Sequence, residues 1–327
     1  MSKPYKQHPP YAIQIEPVEG CNLACSFCGI NGIREGDTSS KPFKMMNVGH
    51  AEQLAVGLAA TGWNPRVEFA MHGEPTMHPQ LRDIVWLFRK HNPKLQLMVT
   101  TNGAGLIKEP VARVAALFEA GLNVLAIDKY EHATYINRVL TPIYDAAAAG
   151  SLPMPLPYPE NPKGNPHTRR PVTAQVISVV EDISDATKGT HSSLNNHAGC
   201  AAPPDHSQQG KRCAKPFREL SVRYDGNVAV CCNDWRGTYY VGNVIIDTFE
   251  EVWWSAAMHA ARVKLYHGQR DFGPCDGCNA KSYRVGLLPD KYGKDALPEP
   301  DKEDRETIEE ALGYEPLAAP VLREWEK

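Results

Sequence analysis

Three of the nine cysteines stand close together in the stretch EGCNLACSFCG, directly after the apolar segment YAIQI. Cys21, Cys25 and Cys28 are separated by three and then by two residues. Three thiolates can bind three irons of a cubane cluster and leave the fourth iron open, whereas zinc prefers four ligands, usually from two-residue cysteine pairs. Because no fourth ligand lies beside this run, the spacing predicts an iron–sulfur cluster whose open iron binds a substrate or cofactor.

Four further cysteines form a second set in the C-terminal half of the chain: Cys213, Cys231, Cys275 and Cys278. The stretch RELSVRYDGNVAVCCND predicts two strands that turn at Asp225-Gly226, with Cys213 before this hairpin and Cys231 at its end. Closing the hairpin brings its open ends together, so the four thiols can converge. Four thiolates hold either zinc or a fully ligated iron–sulfur cluster, and the residue types alone leave both alternatives open.

Two cysteines remain outside these sets. Cys232 directly follows Cys231 on a predicted strand. Since successive side chains of a strand point to opposite faces, Cys232 is not expected to be a ligand. Cys200 is either a plain buried thiol or a functional one, and the sequence leaves both alternatives open.

The bulk composition excludes several classes of protein. The chain has 327 residues, of which 42% are hydrophobic and 22% charged, as in a soluble protein with a sizeable core. It has no apolar run of roughly 18 residues that would span a membrane, and its N-terminal stretch lacks the pattern of an export signal. Nine cysteines in such a chain favour metal sites over disulfides and predict a cytoplasmic location. The net charge of −3 gives no global basic signature for nucleic acid.

Short apolar stretches that predict strands alternate with stretches that predict helices. The predicted strands are YAIQIEP, RVEFAMHGEP, LQLMVTTNG, NVLAIDKYE and VTAQVISVV. Apolar residues at helical spacing lie between them: Ala51, Leu54, Ala55 and Leu58; Leu81, Ile84, Val85 and Phe88; and Val111, Val114, Leu117 and Phe118. This alternation predicts parallel strands in an open sheet or a barrel. Beyond the hairpin, DTFEEVWWSAAMHAARVKLYH predicts one helix, with Thr248 and Glu251 at capping-box spacing.

The unusual polar or glycine-rich stretches each follow a predicted strand. They are EGCNLACSFC, HGEP, TTNG and DKYE. In parallel α/β folds the functional sites gather at the carboxyl ends of the strands. The first cysteine set and these three stretches are therefore expected to share one site.

The first cysteine set resembles that of the radical S-adenosylmethionine (radical SAM) superfamily, in its spacing, in its place after the first strand and in the aromatic Phe27 before the last cysteine. The resemblance implies a partial (β/α)6 TIM-like barrel of the α/β class. It also implies a [4Fe–4S] cluster that binds SAM through its open iron. One electron from the reduced cluster then cleaves SAM to a 5′-deoxyadenosyl radical, which abstracts a hydrogen atom from the substrate.

The same resemblance implies a set of SAM-binding residues. HGEP is similar to the superfamily's Gly-Glu-Pro motif, which binds the SAM amino group, and TTNG and Asp128 stand where the superfamily places polar contacts to SAM. Val176 and Ile177 stand where backbone groups lie beside the adenine. The implied cofactor-binding residues are Phe27, Gly73, Glu74, Pro75, Thr101, Asn102 and Asp128. The alternative for Thr101, Asn102 and Asp128 is a role in capping helices or turns.

The second cysteine set resembles the C-terminal SPASM/twitch extension of radical SAM enzymes, over CAKPFRELSVRYDGNVAVCCNDW…GNV…EVWW…PCDGC. Its order is most similar to the short twitch form of the aminocyclitol dehydrogenase branch, a small hairpin-and-helix domain with one auxiliary [4Fe–4S] cluster. NNHAG at 195–199 is similar to a short signature before that extension. Zinc, and a second auxiliary cluster that uses Cys200 and Cys232, remain alternatives.

These patterns divide the chain into three parts. Residues 11–190 are expected to form the radical SAM barrel, 195–285 the SPASM/twitch domain, and 286–327 an acidic C-terminal tail or helix. Within the barrel, residues 151–171 hold seven prolines and predict an extended insertion or flap rather than a helix or a central strand. The stretch 181–199 is too short for a regular fifth helix and sixth strand, which predicts an irregular barrel.

Three functions follow as hypotheses. The first is a radical SAM oxidoreductase or isomerase-type enzyme that acts on a small polar molecule or a peptide, with a reductant such as flavodoxin or ferredoxin as partner. The second is radical modification of a nucleotide or DNA base, since AMHGEPTMHP resembles viral radical SAM proteins associated with thymine hypermodification. The third is a non-enzymatic zinc or iron–sulfur protein.

Two groups of residues bear on the substrate. The candidate pocket residues are His72, Lys129, Tyr130 and Asn196. The strip Lys211, Arg212 and Lys215 could contact phosphates, and its alternative is a solvated loop. Nucleic acid as a partner has no support from the net charge, and no membrane partner is expected.

Overall fold

The computed structural model describes residues 9–33, 43–130, 132–158, 166–167, 170–181 and 195–281. The predicted acidic tail, 286–327, lies outside the described residues. The strands are β1 Ala12–Ile15, β2 Val18–Glu19, β3 Lys44–Met45, β4 Arg66–Phe69, β5 Gln96–Thr101, β6 Val124–Lys129, β7 Leu156–Tyr158, β8 Val176–Glu181, β9 Glu219–Val222, β10 Asn227–Ala229 and β11 Tyr240–Asn243. The α-helices are α1 Ile30–Ile33, α2 Val48–Ala60, α3 Leu81–His91, α4 Pro110–Glu119, α5 Ile136–Ala148, α6 Phe249–Trp253 and α7 Ala256–Tyr266.

Nine of these strands form one sheet in the order β11-β10-β9-β1-β4-β5-β6-β8-β7. From β9 to β7 all neighbours run parallel, and helices α2 to α5 intervene along the chain between β1 and β7. Each of the five strands predicted in the barrel is present, as β1, β4, β5, β6 and β8. The expected fold class, a partial (β/α)6 barrel followed by a smaller hairpin-and-helix region, is confirmed.

The barrel strands separate an apolar face from a polar one. On β1, Ile13 and Ile15 are fully buried in the main apolar core, to which the inward faces of α2 to α5 also belong. Gln14 points to the opposite face, and its register partners are Glu68 on β4 and Ser221 on β9, both buried. The Gln14 amide donates a hydrogen bond to Glu68 over 3.2 Å. The face of the sheet away from the helices is therefore lined by polar groups near its middle.

The proline-rich insertion contributes the sixth barrel strand. Within it, β7 pairs in parallel with β8 at the edge of the sheet, although β7 comes first along the chain. Proline has no backbone N–H to donate to a neighbouring strand. An edge strand tolerates Pro157 because it has a neighbouring strand on one side only. Where the structure describes this segment, it forms an edge strand and neither a helix nor a central strand, in agreement with the prediction. The irregular barrel was predicted from the stretch 181–199, of which 182–194 lie outside the described residues.

The end of the insertion crosses the N-terminal end of the strands. Arg66, the first residue of β4, donates to the carbonyl of His167 over 2.9 Å. Gln96, the first residue of β5, accepts from the backbone N–H of Arg170 over 2.8 Å. Asn123, just before β6, donates to the carbonyl of Val172 over 2.6 Å. These contacts lie at the end of the barrel opposite to the carboxyl ends of the strands, where the cysteine loop begins.

The C-terminal region extends the barrel sheet. The predicted hairpin is present as antiparallel β9 and β10, and β9 pairs in parallel with β1. Gly226 adopts a φ of +83° in the turn, which suits the Asp-Gly sequence. The single helix predicted over 247–267 is wrong, because the structure breaks it around Trp254 into α6 and α7. Ser255 caps α7 and also donates to the carbonyl of Val241 on β11, so it holds the break against the sheet.

The capping box predicted at the start of this region is present. The Thr248 hydroxyl accepts from the N–H of Glu251, and the Glu251 carboxylate accepts from the N–H of Thr248.

Among the described residues, no helix has the length and apolar character needed to cross a membrane.

Asn123 holds the residues that directly follow the insertion, and its loss is expected to destabilise the fold. Its side chain accepts from Leu97 N–H and from Arg89 and donates to the carbonyls of Val172 and Ala174. In Asn123→Ala the buried Leu97 N–H and the three part-buried groups lose their partner, which should lower the free energy of unfolding by about 2–4 kcal/mol. Urea unfolding measures the change against the exposed Gln175→Ala as control. A loss below about 1 kcal/mol would contradict this assignment.

Glu68 makes stability depend on pH. Burial alone would raise the pKa of Glu68, but the His167 ring, whose Nδ1 lies 3.7 Å from the carboxylate, and the charge of Arg66 outweigh it and hold the pKa at about 2. The folded state therefore gains stability above pH 4.5 and loses it as the pH falls from 4.5 towards 2.

We expect Glu68→Gln to remove this gain, which is on the order of 3 kcal/mol at neutral pH. The difference in unfolding free energy between parent and variant should shrink as the pH is lowered below 4.5. Urea unfolding of the iron-free proteins at several pH values measures it, with the exposed Glu119→Gln as matched control. The interval in which Glu68 should titrate has its middle at roughly pH 3. If the difference in unfolding free energy stayed constant from neutral pH down to this pH, Glu68 would not titrate in this way.

Candidate active site

The first cysteine set lies in the loop between β2 and α1, on the side of the barrel where the strands end. The Cys25 thiol is buried, and Cys21 and Cys28 are half-buried. Burial, followed by the nearby Cys28 and Cys21 thiols, raises the pKa of Cys25 to about 12. The three thiols are thus close enough to influence one another, and a bound metal would have to offset the cost of forming thiolates here.

N–H groups point at the sulfur atoms of this loop. The backbone N–H of Leu23 and the side-chain amide of Asn102 donate to Cys21 Sγ over 3.4 and 3.3 Å. His132 Nε2 lies 3.2 Å from Cys25 Sγ. Hydrogen bonds of this kind stabilise thiolate ligands, so the donor set fits an iron–sulfur cluster. His132 escaped the sequence analysis because it stands beyond the motif, in the loop after β6.

The Gly-Glu-Pro turn is locked against the cysteine loop. The N–H of Gly20 donates to the carbonyl of His72 over 3.1 Å, and the N–H of Glu74 donates to the carbonyl of Gly20 over 2.9 Å. A Cβ at Gly73 would lie 2.1 Å from the carbonyl oxygen of Val18. Only glycine allows the two backbones to approach so closely, and this places the turn beside Cys21.

Glu74 joins this turn to the end of β5. Its carboxylate accepts hydrogen bonds from the N–H of Thr76, the hydroxyl of Thr101 and the N–H of Asn102, the last over 2.7 Å. The side chain is only 2% exposed, and burial raises the pKa of Glu74. The predicted residues Gly73, Glu74, Thr101 and Asn102 are therefore brought together. In this arrangement the Glu74 carboxylate is engaged within the protein and organises the turn.

Asn102 connects two residues that the sequence analysis missed. Its amide donates to Asn22 over 3.0 Å, and its carbonyl accepts from the hydroxyl of Tyr135 over 2.8 Å. Asn22 in turn donates to the Tyr135 hydroxyl over 3.1 Å. The three side chains form a closed polar group beside Cys21. Asn22 lies inside the cysteine motif, but nothing local pairs it with a tyrosine on another loop.

The remaining predicted SAM residues lie along an aromatic row at the end of β6. Phe27 contacts Tyr130 with ring centroids 5.5 Å apart, and Tyr130 stacks on His132 at 5.4 Å. The Tyr130 hydroxyl donates to Asp128 over 3.3 Å, and burial raises the pKa of Tyr130. Lys129 is half-buried at the end of β6. Tyr130 therefore positions Asp128 and Phe27 on the cysteine loop's side of the barrel.

Two further predicted contacts, Val176 and Ile177, begin β8. Ile177 is fully buried in the apolar core, so only its backbone could take part in a site.

His72, a candidate pocket residue, is fully buried between a carboxylate and a carbonyl group. Nδ1 lies 2.9 Å from the Glu16 carboxylate, and Nε2 lies 2.9 Å from the carbonyl of Cys232. Arg223 pairs with the same carboxylate at 3.5 Å. Met71, just before it, adopts a φ of +88°, which is costly for a residue with a side chain. His72 therefore acts as a buried connection between the Gly-Glu-Pro turn and the C-terminal region.

The second cysteine set also converges. Burial, and after it the nearby Cys213 and Cys278 thiols, raise the pKa of Cys275. The N–H of Asn233 donates to Cys231 Sγ over 3.2 Å, and the N–H of Ala280 donates to Cys278 Sγ over 3.5 Å. In the part of the chain that the structure describes, no three His, Cys, Asp or Glu side chains are grouped tightly enough for a single metal ion. The thiols thus share a neighbourhood, with donors directed at sulfur as thiolate ligands of a cluster require.

Asn196, another candidate pocket residue, fastens the loop of Cys275 and Cys278. Its amide donates to the carbonyls of Gly277 and Pro203 over 2.7 and 3.0 Å. Its backbone N–H and side-chain oxygen exchange hydrogen bonds with Asn279. Both polar ends of this buried side chain are used, so Asn196 holds the second cysteine site together.

The two other cysteines occupy different environments. Cys232 lies in a turn after β10, not on a strand as expected, and its thiol accepts from the Lys215 ammonium over 3.1 Å. Cys200 is buried against Ile30 and Trp235, beside the first cysteine loop. Lys215 differs from the other members of the predicted basic strip, because Lys211 and Arg212 are exposed whereas Lys215 is largely buried.

Trp235 joins the two cysteine loops. A Cβ at Gly29, the residue after Cys28, would lie 2.5 Å from the indole ring of Trp235. The indole also contacts the His72 ring at 4.5 Å and stacks on the His197 ring at 5.3 Å. His197 Nδ1 accepts from the N–H of Gly29 over 2.8 Å. The first and second cysteine loops are therefore packed through one aromatic stack.

Comparison with known proteins agrees with this geometry. Residues 15–129 match the family model of the radical SAM superfamily, and residues 213–279 match that of SPASM, an iron-sulfur cluster-binding domain. A GTP 3',8-cyclase of Paenarthrobacter nicotinovorans is 27% identical over 146 residues, which are 42% of this chain and 37% of that protein. The chain thus spans less than half the length of this relative.

A second relative matches over most of both chains. The S-adenosyl-L-methionine-dependent 2-deoxy-scyllo-inosamine dehydrogenase of Niallia circulans is 22% identical over 275 residues, or 84% of this chain and 94% of that protein. Among solved structures, BtrN in complex with AdoMet and 2-DOIA has a TM-score of 0.62 at 19% identity, with 84% and 94% of the two chains covered. At this identity the likeness shows the fold.

The two family matches contain the two cysteine sets, so SAM, a SAM-binding iron–sulfur cluster and an auxiliary iron–sulfur cluster are the cofactors of this protein. The hypotheses of a zinc site and of a non-enzymatic protein are thereby set aside. The chain belongs to the radical SAM superfamily and is a radical SAM enzyme with a C-terminal SPASM-type cluster-binding domain.

Proposed function

We propose that this enzyme is a SAM-dependent oxidoreductase that removes two electrons from a carbon of a small polar molecule, as when a secondary alcohol becomes a ketone. The observation that carries the proposal is the convergence of Cys213, Cys231, Cys275 and Cys278. Since four thiolates occupy all four irons of a cubane cluster, no iron is left for a substrate, and electron acceptance is the simpler role. The match to a dehydrogenase over 84% of the chain supports the same chemistry.

The two cysteine sets hold two different clusters. Cys21, Cys25 and Cys28 hold the SAM-binding cluster, and the four C-terminal cysteines hold the auxiliary one. When bound, SAM and the clusters supply a 5′-deoxyadenosyl radical that takes a hydrogen atom and an acceptor that takes one electron. The Gly-Glu-Pro turn and Asn102 position SAM beside Cys21, and Trp235 keeps the two loops in contact.

The remaining SAM contacts come from Phe27, Pro75, Thr101 and Asp128. Phe27 and the Tyr130 ring form an apolar wall that excludes water from the reacting groups.

The overall change balances through named partners. The substrate loses one hydrogen atom to the radical, one electron to the auxiliary cluster and one proton to solvent, and its C–O bond becomes a carbonyl. A reductant such as reduced flavodoxin or ferredoxin supplies the electron that SAM cleavage consumes. These oxygen-sensitive groups suit the reducing cytoplasm.

A nucleotide substrate is the second candidate, because GTP 3',8-cyclases match 42–43% of the chain at 27% identity. It is weaker, since those matches span only 37–40% of the relatives. No global basic charge supports a nucleic-acid substrate, because the net charge is −3.

The first test measures SAM cleavage with a panel of substrates. Anaerobically reconstituted protein is reduced with dithionite and given cyclic polyols, amino-polyols, a short peptide, GTP or a thymidine nucleotide. We expect about eight irons per chain. The amount of 5′-deoxyadenosine should rise when a hydroxylated small molecule is added, and deuterium from a labelled substrate should appear in it. A ketone should form in equal amount. Stimulation by GTP alone would favour the second candidate and overturn the first.

The control separates the two clusters. A Cys21/Cys25/Cys28→Ala variant should keep about four irons and form no 5′-deoxyadenosine. If it lost all iron, the C-terminal thiols would not hold a cluster, and the proposed electron acceptor would be absent.

Asn196 provides a further prediction about the second site. Removing the three hydrogen bonds of its side chain in Asn196→Ala should loosen the loop of Cys275 and Cys278 and lower the iron content from about eight towards four per chain. Gln209→Ala is the matched control, because Gln209 bonds to the carbonyl of Asp276 in the same loop from an exposed position. Full iron retention by Asn196→Ala would show that the cysteines alone organise the site.

A further inference from the structure

We propose that Lys215 sets the reduction potential of the auxiliary cluster by placing a buried positive charge beside the Cys231 loop, so that the cluster accepts an electron more readily. This inference rests on the proposed role of that cluster as an electron acceptor. Lys215 is a positioning residue, because it touches the protein around the site and not the substrate.

The geometry assigns Lys215 to this place. It begins a short 3-10 turn two residues after Cys213, and its ammonium lies 3.1 Å from Cys232 Sγ and 3.0 Å from the Glu219 carboxylate. Its side chain is 14% exposed, and that of Glu219 is 4% exposed. Cys232 is the chain neighbour of the candidate ligand Cys231. The ammonium is thus held between the auxiliary site and the first residue of β9.

Burial gives this charge its effect. A lysine loses its hydration when it is buried, and here the Glu219 carboxylate compensates and keeps the ammonium charged. In a low-dielectric interior a charge a few ångströms away acts far more strongly than it does in water. Reduction adds one negative charge to an iron–sulfur cluster, so a nearby cation stabilises the reduced form more than the oxidised form. Nearby charge is among the levers that set such potentials.

Other charged groups near the second site have different partners. Arg270 is a second buried cation, and its guanidinium donates to the carbonyls of Lys211, Arg212 and Cys278. The Asp234 carboxylate accepts from the N–H groups of Thr238 and Tyr239. Lys215 differs from both, because its ammonium contacts the Cys232 thiol, next to a candidate ligand, and the Glu219 carboxylate.

The pair Lys215–Glu219 allows a test with opposite signs. Lys215→Met removes the positive charge and should move the midpoint potential of the auxiliary cluster to more negative values. Glu219→Gln removes the negative partner and leaves the ammonium, so it should move the potential to more positive values. Lys215→Arg keeps the charge and is the matched control, with a potential close to the parent's.

The measurement isolates the auxiliary cluster. Each substitution is made in the full chain with Cys21, Cys25 and Cys28 replaced by Ala, and the cluster is titrated potentiometrically while its electron paramagnetic resonance signal is followed. For Lys215→Met we expect the ratio of reduced to oxidised cluster at a fixed potential to fall about tenfold, which is about 59 mV for one electron. Iron content is measured in parallel.

The outcomes separate charge from disturbed packing. Shifts of opposite sign for Lys215→Met and Glu219→Gln, with Lys215→Arg unchanged, support the inference. No shift, or shifts of the same sign, overturn it, because a merely structural role would not follow charge. If Lys215→Met fails to take up iron, Glu219→Gln and Lys215→Arg decide alone, and a Glu219→Gln potential that does not rise overturns the inference.

The titration needs neither SAM nor substrate, so it is independent of the proposed function. Charge-ordered potentials in an enzyme that oxidises no small molecule would leave the Lys215 assignment standing and remove the proposed function. If the enzyme forms the ketone but the potential of its auxiliary cluster does not follow the charge at Lys215, the proposed function stands and the inference about Lys215 is overturned.

Discussion

The contact of Trp235 with Gly29 is the constraint on which the rest of the site depends. The indole ring occupies the space that any side chain at position 29 would fill, directly after Cys28. It also touches His72, from the Gly-Glu-Pro turn, and His197, from the segment before the second cysteine set. Four separate stretches of chain thus meet at one buried ring. A rigid contact of this kind keeps two reactive loops in a constant relation, because a packed interior does not deform gradually.

The sheet provides the frame for that contact. Because β9 pairs in parallel with β1, the strand that leads into the first cysteine loop and the hairpin that leads into Cys231 are neighbours. The buried ion pair of Glu16 with Arg223 spans the same junction, and the His72 ring lies 2.9 Å from the same carboxylate. Such pairs compensate one another's burial only when their geometry is maintained, so they tie the alignment of the two regions to the integrity of the fold. At the opposite end of the barrel, the insertion covers the strand starts through Arg66, Gln96 and Asn123.

Local patterns predicted the elements well where one physical cause dominated. Apolar spacing predicted α2, α3 and α4, since their buried faces follow the helical period. Prediction failed where a distant partner decided. The helix predicted over 247–267 breaks because the Ser255 hydroxyl both caps α7 and donates to the carbonyl of Val241. Cys232 lies in a turn rather than on a strand, and His72 has buried partners at Glu16 and Cys232 that are far away in sequence.

Residue types and spacing in the sequence located the ligand chemistry of this protein, although for the second cysteine set they left zinc and an iron–sulfur cluster both open. The spacing of Cys21, Cys25 and Cys28, the Gly-Glu-Pro turn and the later cysteines are short patterns, and their ligand chemistry depends on residue type and local spacing. The tertiary structure alone decided what surrounds them. The charge beside Cys232, the donors to Cys21 and Cys25 and the stack at Trp235 come from residues such as Lys215, Asn102 and His132, which only folding brings near. Their effects require proximity and burial, which no single segment of the chain determines.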